Sequence, residues 1–392
     1  MTGVVRPIRT GWVVTAPVPG PDVDEFADAD QVITALAGPA AAGDTLLAVQ
    51  HPHHTPAALA SGRSVAWALP AAREMLDRLR RTVYREVRDV VAPYLVSGPD
   101  GIALGMLCLV DPAVADAEGL ARIRQAEQVY PTVVAERAAV LAGLCCATSA
   151  AMLVPVTGGA DLTEALGRVI GGPHKPDVSI ADSAGRRHQL WLLGPGDQQD
   201  ELIDIAQRQP LLVADGNHRV AAASSARCEL LALVTGGPGL RIGAIHRTLV
   251  GTGLGPDDLA AAWRRTGLIV LDADPNVGAP DQPGTVLVLA GDRAMLVGLP
   301  EPAPGEPLPR IDHGVVEHLL IGEALGIDPA GPLVRALPAG TKPATGVDAV
   351  LLIAPVPYPD VLAVHDQGRR MPRKSTYFTP KPRSGLLLAG LD

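Results

Sequence analysis

The chain has 392 residues, 47% of them hydrophobic but only 3% aromatic, and a net charge of −9. A balance of 42 Asp and Glu against 33 Lys and Arg disfavours bulk nucleic-acid binding, which needs a basic face. No apolar run is long enough to span a bilayer, and the start lacks the basic-then-apolar pattern of a secretory signal, so a cytoplasmic protein with no membrane partner is expected.

In chain order, apolar runs bounded by Gly and Pro predict buried strands at 11–15 and 44–49. Residues 71–88 predict an amphipathic helix with Met75, Leu76, Leu79, Val83 and Val87 on one face. A strand at 102–110, helices near 115–125 and 132–149, and a strand at 152–156 follow. Asp161 and Glu164 have capping-box spacing at the start of a short helix. A strand at 188–193 and a helix at 198–208 lead to a central strand at 211–214, with a helix over 217–227 behind it. A strand at 241–250 and a helix at 257–266 precede a Pro-, Gly- and Asp-rich stretch, 272–310. Its two strands, 285–290 and 294–299, read as a loose, solvent-facing hairpin. A helix at 313–325, a strand at 349–354 and a helix at 358–366 come before a basic tail and an apolar strand at 386–388. The alternation has no steady βαβ rhythm. It predicts an α/β fold of the α+β type, with mixed β-sheets and flanking helices. Cys108, Cys145, Cys146 and Cys228 form no C-x-x-C pair and read as small core residues in a reducing compartment.

The strongest local signal for chemistry is Asp215-Gly216-Asn217-His218-Arg219, where a buried strand ends and a helix of Ala and Ser begins. A helix N-terminus favours an anion. No acidic residue follows Asp215 until Glu229, so the first turns do not repel phosphate. His218 adds a donor, Arg219 can grip a phosphate with two N–H groups, and Gly216 lets a ligand approach the backbone. Asp215 can hold a metal ion or accept a proton. An alternative stays open, in which Asp215 only caps the helix and pairs with Arg219.

Other segments say less. Gly251 to Gly255 follows a strand and precedes a helix, but its spacing is wrong for G-x-G-x-x-G, and Asp257 and Asp258 would repel a pyrophosphate. His51, His53 and His54 read as a surface turn, with no Cys or carboxylate ligand nearby in sequence. Glu127 enters a helix that carries Glu136 and Arg137, and reads as a base or as a solvated charge. The tail from Met371 to Lys381 reads either as a solvated arm or as an ordered loop whose Lys374, Ser375 and Thr376 bind an anion.

Ala214 to Arg219, an A-D-G-x-H-R element, and Pro372 to Lys381, a P-x-K-S-T-Y-F-x-P-K tail, together resemble the bacterial and archaeal domain of unknown function 1015 family. His188-Gln189-Leu190-Trp191, His246-Arg247, and Glu127 with Glu136-Arg137 extend the resemblance, which is clearest from about residue 120 to the end. The sequence departs from the family pattern at Ala126, where His is usual, and at Asn217 and Val220. The D-G-x-H-R element is also similar to that of the ParB/sulfiredoxin-like superfamily, which includes free-serine kinases and sets a nucleotide's phosphates against this helix start. The resemblance implies a ParB/sulfiredoxin-like core and a nucleoside di- or triphosphate (ATP, ADP or CTP) with Mg²⁺. It implies a kinase acting on a small hydroxyl substrate, free serine or a serine-like amino acid. A nucleotide-binding switch without transfer is the alternative, and a homodimer is compatible with either.

The resemblance places Gly216, Asn217, His218 and Arg219 around the phosphates and Asp215 on Mg²⁺ or the acceptor hydroxyl. His218 sits at the reacting group, and Glu127 is the alternative base. Lys374, with Ser375 and Thr376, neutralises the transferring phosphoryl group. Three segments are expected: an N-terminal α/β part over 1–110, a core with the turn over 111–255, and a C-terminal α/β part over 256–392 whose tail packs back on the core.

Overall fold

A computed structural model describes residues 3–23, 26, 29–62, 64–237 and 239–391. The described residues form two compact units made of interleaved segments. The first takes its residues from Met1–Gln125, Val129–Arg241 and Phe378–Asp392, the second from Ala126–Gln128 and Ile242–Tyr377. The segment boundaries expected near 110 and 255 fall inside the first and second units respectively.

The first unit is built on a nine-stranded mixed sheet. Its middle runs Leu211–Asp215, Ala151–Pro155, Leu230–Thr235, Gly101–Val110 and Ala92–Gly98. Leu211–Asp215 also pairs parallel with Ile123–Gln125, and Leu230–Thr235 runs parallel to Ala151–Pro155, while the other pairs here are antiparallel. Leu211, Leu212 and Val213 are all fully buried, so this strand is covered on both faces, as its unbroken apolar run requires. A second sheet sets Leu387–Gly390 between Ile8–Val14 and Cys146–Ala147, which anchors the end of the chain beside one of its first strands.

The helix expected over 71–88 runs instead over Val65–Val83, and Val87 lies in the strand Tyr84–Val90 that follows it. Three more expectations in this unit are corrected. The apolar run at 44–49 is not a strand but part of a short helix, Leu46–Gln50, because the Thr45 hydroxyl accepts from the Ala48 amide at 3.2 Å and caps it. Residues near 115–125 are not helical. The Asp116 carboxylate accepts the Glu118 and Leu120 amides at 3.1 and 2.8 Å, which bends the backbone into a turn before the strand Ile123–Gln125. Cys145 is exposed rather than core. It ends the helix Pro131–Leu144 in a left-handed conformation at φ 47°, and Cys146 beside it is buried.

The second unit holds a six-stranded sheet whose ladders are all antiparallel. The strands Thr285–Ala290 and Arg293–Gly298 lie inside it and are not a loose hairpin. Val286, Val288, Met295 and Val297 are fully buried in a cluster with Trp263 and Leu320, so the period-two pattern outweighs the Pro and Gly around it. The helix expected at 313–325 is Asp312–Val315 continued by a π-helical stretch, Val316–Glu323.

Two histidines make this unit sensitive to acid. Burial, with the nearby Arg247 charge, lowers His313 to about 3 and His246 to about 4. His246 Nδ1 accepts the Ile353 amide at 3.1 Å, and His313 Nε2 lies 2.9 Å from the Ile245 carbonyl. Both are neutral in the folded state, while an unfolded histidine titrates near 6.5. As pH falls from 6.5 towards 4, the unfolded chain binds protons that the native unit does not, so stability falls. The expected slope is up to about 1.4 kcal/mol per histidine per pH unit. Urea unfolding at pH 7 and pH 5 checks it, and His313→Asn is expected to flatten the dependence.

Candidate functional site

The turn at 215–219 is built by local geometry. The pairing of Leu211–Asp215 with Ala151–Pro155 slips between Val213 and Asp215, a bulge that re-aims Asp215 at the strand end. Gly216 follows at φ 94°, and a Cβ there would lie 2.7 Å from Arg219 Nε and 3.0 Å from Ala151 Cβ, so only glycine fits. The helix Asn217–Ala226 begins at once, with the Val220 amide bonded to the Gly216 carbonyl at 3.0 Å. Asn217 is buried, and Gln125 Nε2 donates to its carbonyl at 3.0 Å.

Asp215 faces two cations. Its Oδ1 is 2.7 Å from Lys381 Nζ, and its Oδ2 accepts from Arg219, which also donates to the Ser149 hydroxyl. Lys381, Asp215 and Arg219 are only 18%, 19% and 11% exposed at their side chains, so little water screens these charges. The Lys381 and Arg219 charges and the start of the helix both favour negative charge at this turn. His218 Nε2 accepts the Tyr130 amide at 3.0 Å, and its ring stacks on that of Tyr130 with centroids 5.7 Å apart. Nε2 is therefore the unprotonated nitrogen, and Nδ1 carries the hydrogen as a donor.

Mg²⁺ at Asp215 does not fit this arrangement. Magnesium takes carboxylate oxygens, and both of these are shared with cations. Among the described residues, no group of three or more His, Cys, Asp or Glu side chains is placed to hold a metal ion, the His51, His53 and His54 turn included.

The other site residues named from the sequence lie in the second unit. Glu127 is buried, and its carboxylate accepts hydrogen bonds from the tail. Its Oε2 takes the Lys374 amide at 3.1 Å, while Oε1 takes the amides of Ser375 and Thr376 at 3.0 and 2.8 Å and the Thr376 hydroxyl at 2.7 Å. The anion held by these three amides is thus the chain's own carboxylate. Burial pushes the Glu127 carboxyl up, against the hydrogen bonds and the Lys374 charge that pull it down. From the opposite side, the buried Arg247 donates to the carbonyls of Arg373 and Lys374 at 2.9 and 3.2 Å and pairs with Glu317 at 2.8 Å. Lys374 sits between these clamps at φ 52°. The tail is therefore an ordered segment, and the solvated-arm reading is set aside.

A family model described as Protein of unknown function (DUF1015) matches residues 91–313, more than half the chain. The chain belongs to the DUF1015 family. No curated protein matches it. Among solved structures, it is similar to SbnI with a C-terminal truncation from Staphylococcus aureus, at 14% identity over 72% of this chain and 87% of that one, with a TM-score of 0.42. It is similar to a conserved hypothetical protein from Pyrococcus furiosus at 10% identity, over 71% of this chain and 95% of that one, with a TM-score of 0.40. A free serine kinase in complex with AMP is similar at 10% identity, over 71% and 92%, with a TM-score of 0.40.

In this DUF1015 chain Lys381, Ser149 and Tyr130, none of them among the residues expected at the turn, contact it. Lys381 was within reach, since it closes the P-x-K-S-T-Y-F-x-P-K tail, but its pairing with Asp215 is long-range and carries no local signal. Among the described residues, no helix is long and apolar enough to cross a membrane.

Proposed function

We propose that this chain is a nucleotide-dependent kinase of a small hydroxyl compound, with the turn from Asp215 to Arg219 as its phosphate site. The observation that carries the reading is the largely buried Asp215 bracketed by Lys381 and Arg219 at the start of a ten-residue helix. Phosphoryl transfer depends mainly on positioning and charge, and such a cradle supplies both. Gly216 admits the phosphates to the backbone, and His218 Nδ1–H and Arg219 add donors.

Lys381 transfers its pairing from Asp215 to the entering phosphate. Asp215 Oδ1 is then released to accept the acceptor's hydroxyl proton. The acceptor oxygen bonds to the terminal phosphorus as that phosphorus parts from its bridging oxygen, and the nucleotide leaves one phosphate shorter. Glu127, Lys374, Ser375 and Thr376 keep the roles the resemblance gives them only where Glu127 exchanges its amides for a ligand. Free serine or a serine-like amino acid is the acceptor that resemblance suggests.

A second reading is a nucleotide-gated switch without transfer, and it is favoured by the full engagement of Asp215 in this state. One assay separates the two. The protein is incubated with Mg²⁺, with ATP, ADP or CTP, and with a panel of amino and hydroxy acids, and phosphorylated product is measured. Acceptor-dependent product is expected. Saturable nucleotide binding with no product would favour the switch, and no binding of any nucleotide would end both readings.

A further inference from the structure

His188, on the strand Arg187–Leu190 of the first unit, belongs to a chain of hydrogen bonds that ends beside Lys381. The chain starts at Asp182, whose side chain is fully buried. Its carboxylate accepts the Ala184 and Arg186 amides at 2.9 Å each and the Arg186 side chain at 2.6 Å. Asp182 Oδ2 also lies 3.0 Å from His188 Nε2. His188 Nδ1 lies 2.6 Å from the hydroxyl of Tyr94, on the neighbouring strand Ala92–Gly98. The Tyr94 oxygen in turn accepts the Arg383 amide at 3.2 Å. His188 and Tyr94 are both buried, so water does not compete for these bonds.

The chemistry gives each bond one direction. Burial raises the Asp182 carboxyl, but the bonds from His188 and Arg186 outweigh it and lower it to about 2, so Asp182 is an anion that only accepts. His188 Nε2 therefore donates. Burial outweighs the Asp182 charge and lowers His188, so the ring is neutral and Nδ1 accepts the Tyr94 proton. The Tyr94 oxygen keeps a lone pair for the Arg383 N–H, the first backbone donor after Lys381, because Pro382 has none. Two residues before Lys381, the Thr379 hydroxyl donates to the Asp100 carbonyl at 3.2 Å. Lys381 is thus anchored two residues to either side, and its Nζ reaches Asp215 Oδ1 at 2.7 Å.

We propose that Asp182, His188 and Tyr94 are positioning residues for Lys381, acting through the Arg383 amide to hold the Lys381 ammonium at the Asp215 turn. The placement of Lys381 against Asp215 stands by itself. Its use on an entering phosphate rests on the reading of that turn as the phosphate site, where a lysine already held in place binds an anion tighter than a mobile one. Tyr94→Phe removes one oxygen and keeps the ring. It leaves the Arg383 amide and His188 Nδ1 without their shared partner, so Lys381 loses one of its two backbone anchors.

The first test is amine labelling of the whole chain without nucleotide, by reductive dimethylation read by peptide mass spectrometry, with Lys175, Lys342, Lys374 and Lys381 followed separately. Tyr94→Phe is expected to speed labelling of Lys381 by about fivefold or more relative to the exposed Lys175 and Lys342. His188→Phe, which leaves the Tyr94 oxygen to accept the Arg383 amide, is expected to act in the same direction and less. Unchanged labelling of Lys381 in folded Tyr94→Phe, or an equal rise at Lys374, overturns the proposal. In the unaltered chain the Arg383 amide is expected to be protected from hydrogen exchange. Exchange at the rate of an open loop overturns the proposal even if neither variant folds. The second test is ADP affinity in a double-mutant cycle. Tyr94→Phe is expected to weaken ADP by about fivefold in the parent and to have no effect in the Lys381→Met chain. A residue that only stabilises the fold gives the same loss in both, and that result overturns the proposal. If Lys381→Met itself binds ADP like the parent, the phosphate reading fails and the labelling result decides the relay alone.

Discussion

Asp215→Asn is expected to tighten nucleotide binding while cutting phosphoryl transfer by about a hundredfold or more, the usual scale for loss of a general base. The two effects have opposite signs because Asp215 has two jobs. As an anion it repels phosphate and occupies Lys381 and Arg219. Asparagine is close to the same size but neutral, so both cations become available to the ligand. Lys381→Met is expected to move both quantities down. Loss of one hydrogen bond to a charged phosphate is on the order of 1.5–3 kcal/mol, or roughly 10- to 100-fold in affinity. Equilibrium binding of ADP and ATP, beside product formation at saturating nucleotide, separates these patterns. If both variants bind nucleotide like the parent, the turn is not the phosphate site.

Glu127 is expected to behave as a structural anion. Glu127→Ala leaves three backbone amides and one hydroxyl without their acceptor in a buried setting. Unmet buried donors cost about 1–3 kcal/mol each, so a loss of roughly 3 kcal/mol or more is expected in urea unfolding of the whole chain. Glu127→Gln is the sharper variant. With its oxygen at the Oε1 position it keeps the bonds to Ser375 and Thr376, and its amide group opposes only the Lys374 N–H. It is expected to cost about 1 kcal/mol and to retain most of any transfer activity. A Gln variant of parental stability with no activity would instead make Glu127 the base.

The turn was legible in the sequence because everything that makes it is local. An unbroken apolar strand, one glycine and a helix without early acids are all within nine residues, and the strand Leu211–Asp215 and the helix Asn217–Ala226 follow them closely. What the residues do to each other was not legible. Asp215 carried the same letters whether it caps a helix, holds a metal or pairs with cations, and the choice was made by Lys381 from the far end of the chain. The run at 44–49 shows the same limit on the scale of an element. Its composition suits a strand or a buried helix, and one hydroxyl, that of Thr45, decides. At 285–298 the alternation of Val286, Val288, Met295 and Val297 is present in the sequence, but the surrounding prolines and glycines carry the composition of a surface loop and mask the core strands they frame. The interleaving of the two units was beyond reach for a related reason, since the strand Leu387–Gly390 finds its partner in Ile8–Val14.

The claim on which the rest depends is that phosphate groups bind at the start of the helix Asn217–Ala226. A crystal structure of the chain soaked with ADP tests it most directly. The account predicts phosphate density against the backbone of Gly216 to His218, with Lys381 Nζ moved from Asp215 onto a phosphate oxygen. ADP bound elsewhere, with Lys381 still on Asp215, would contradict it.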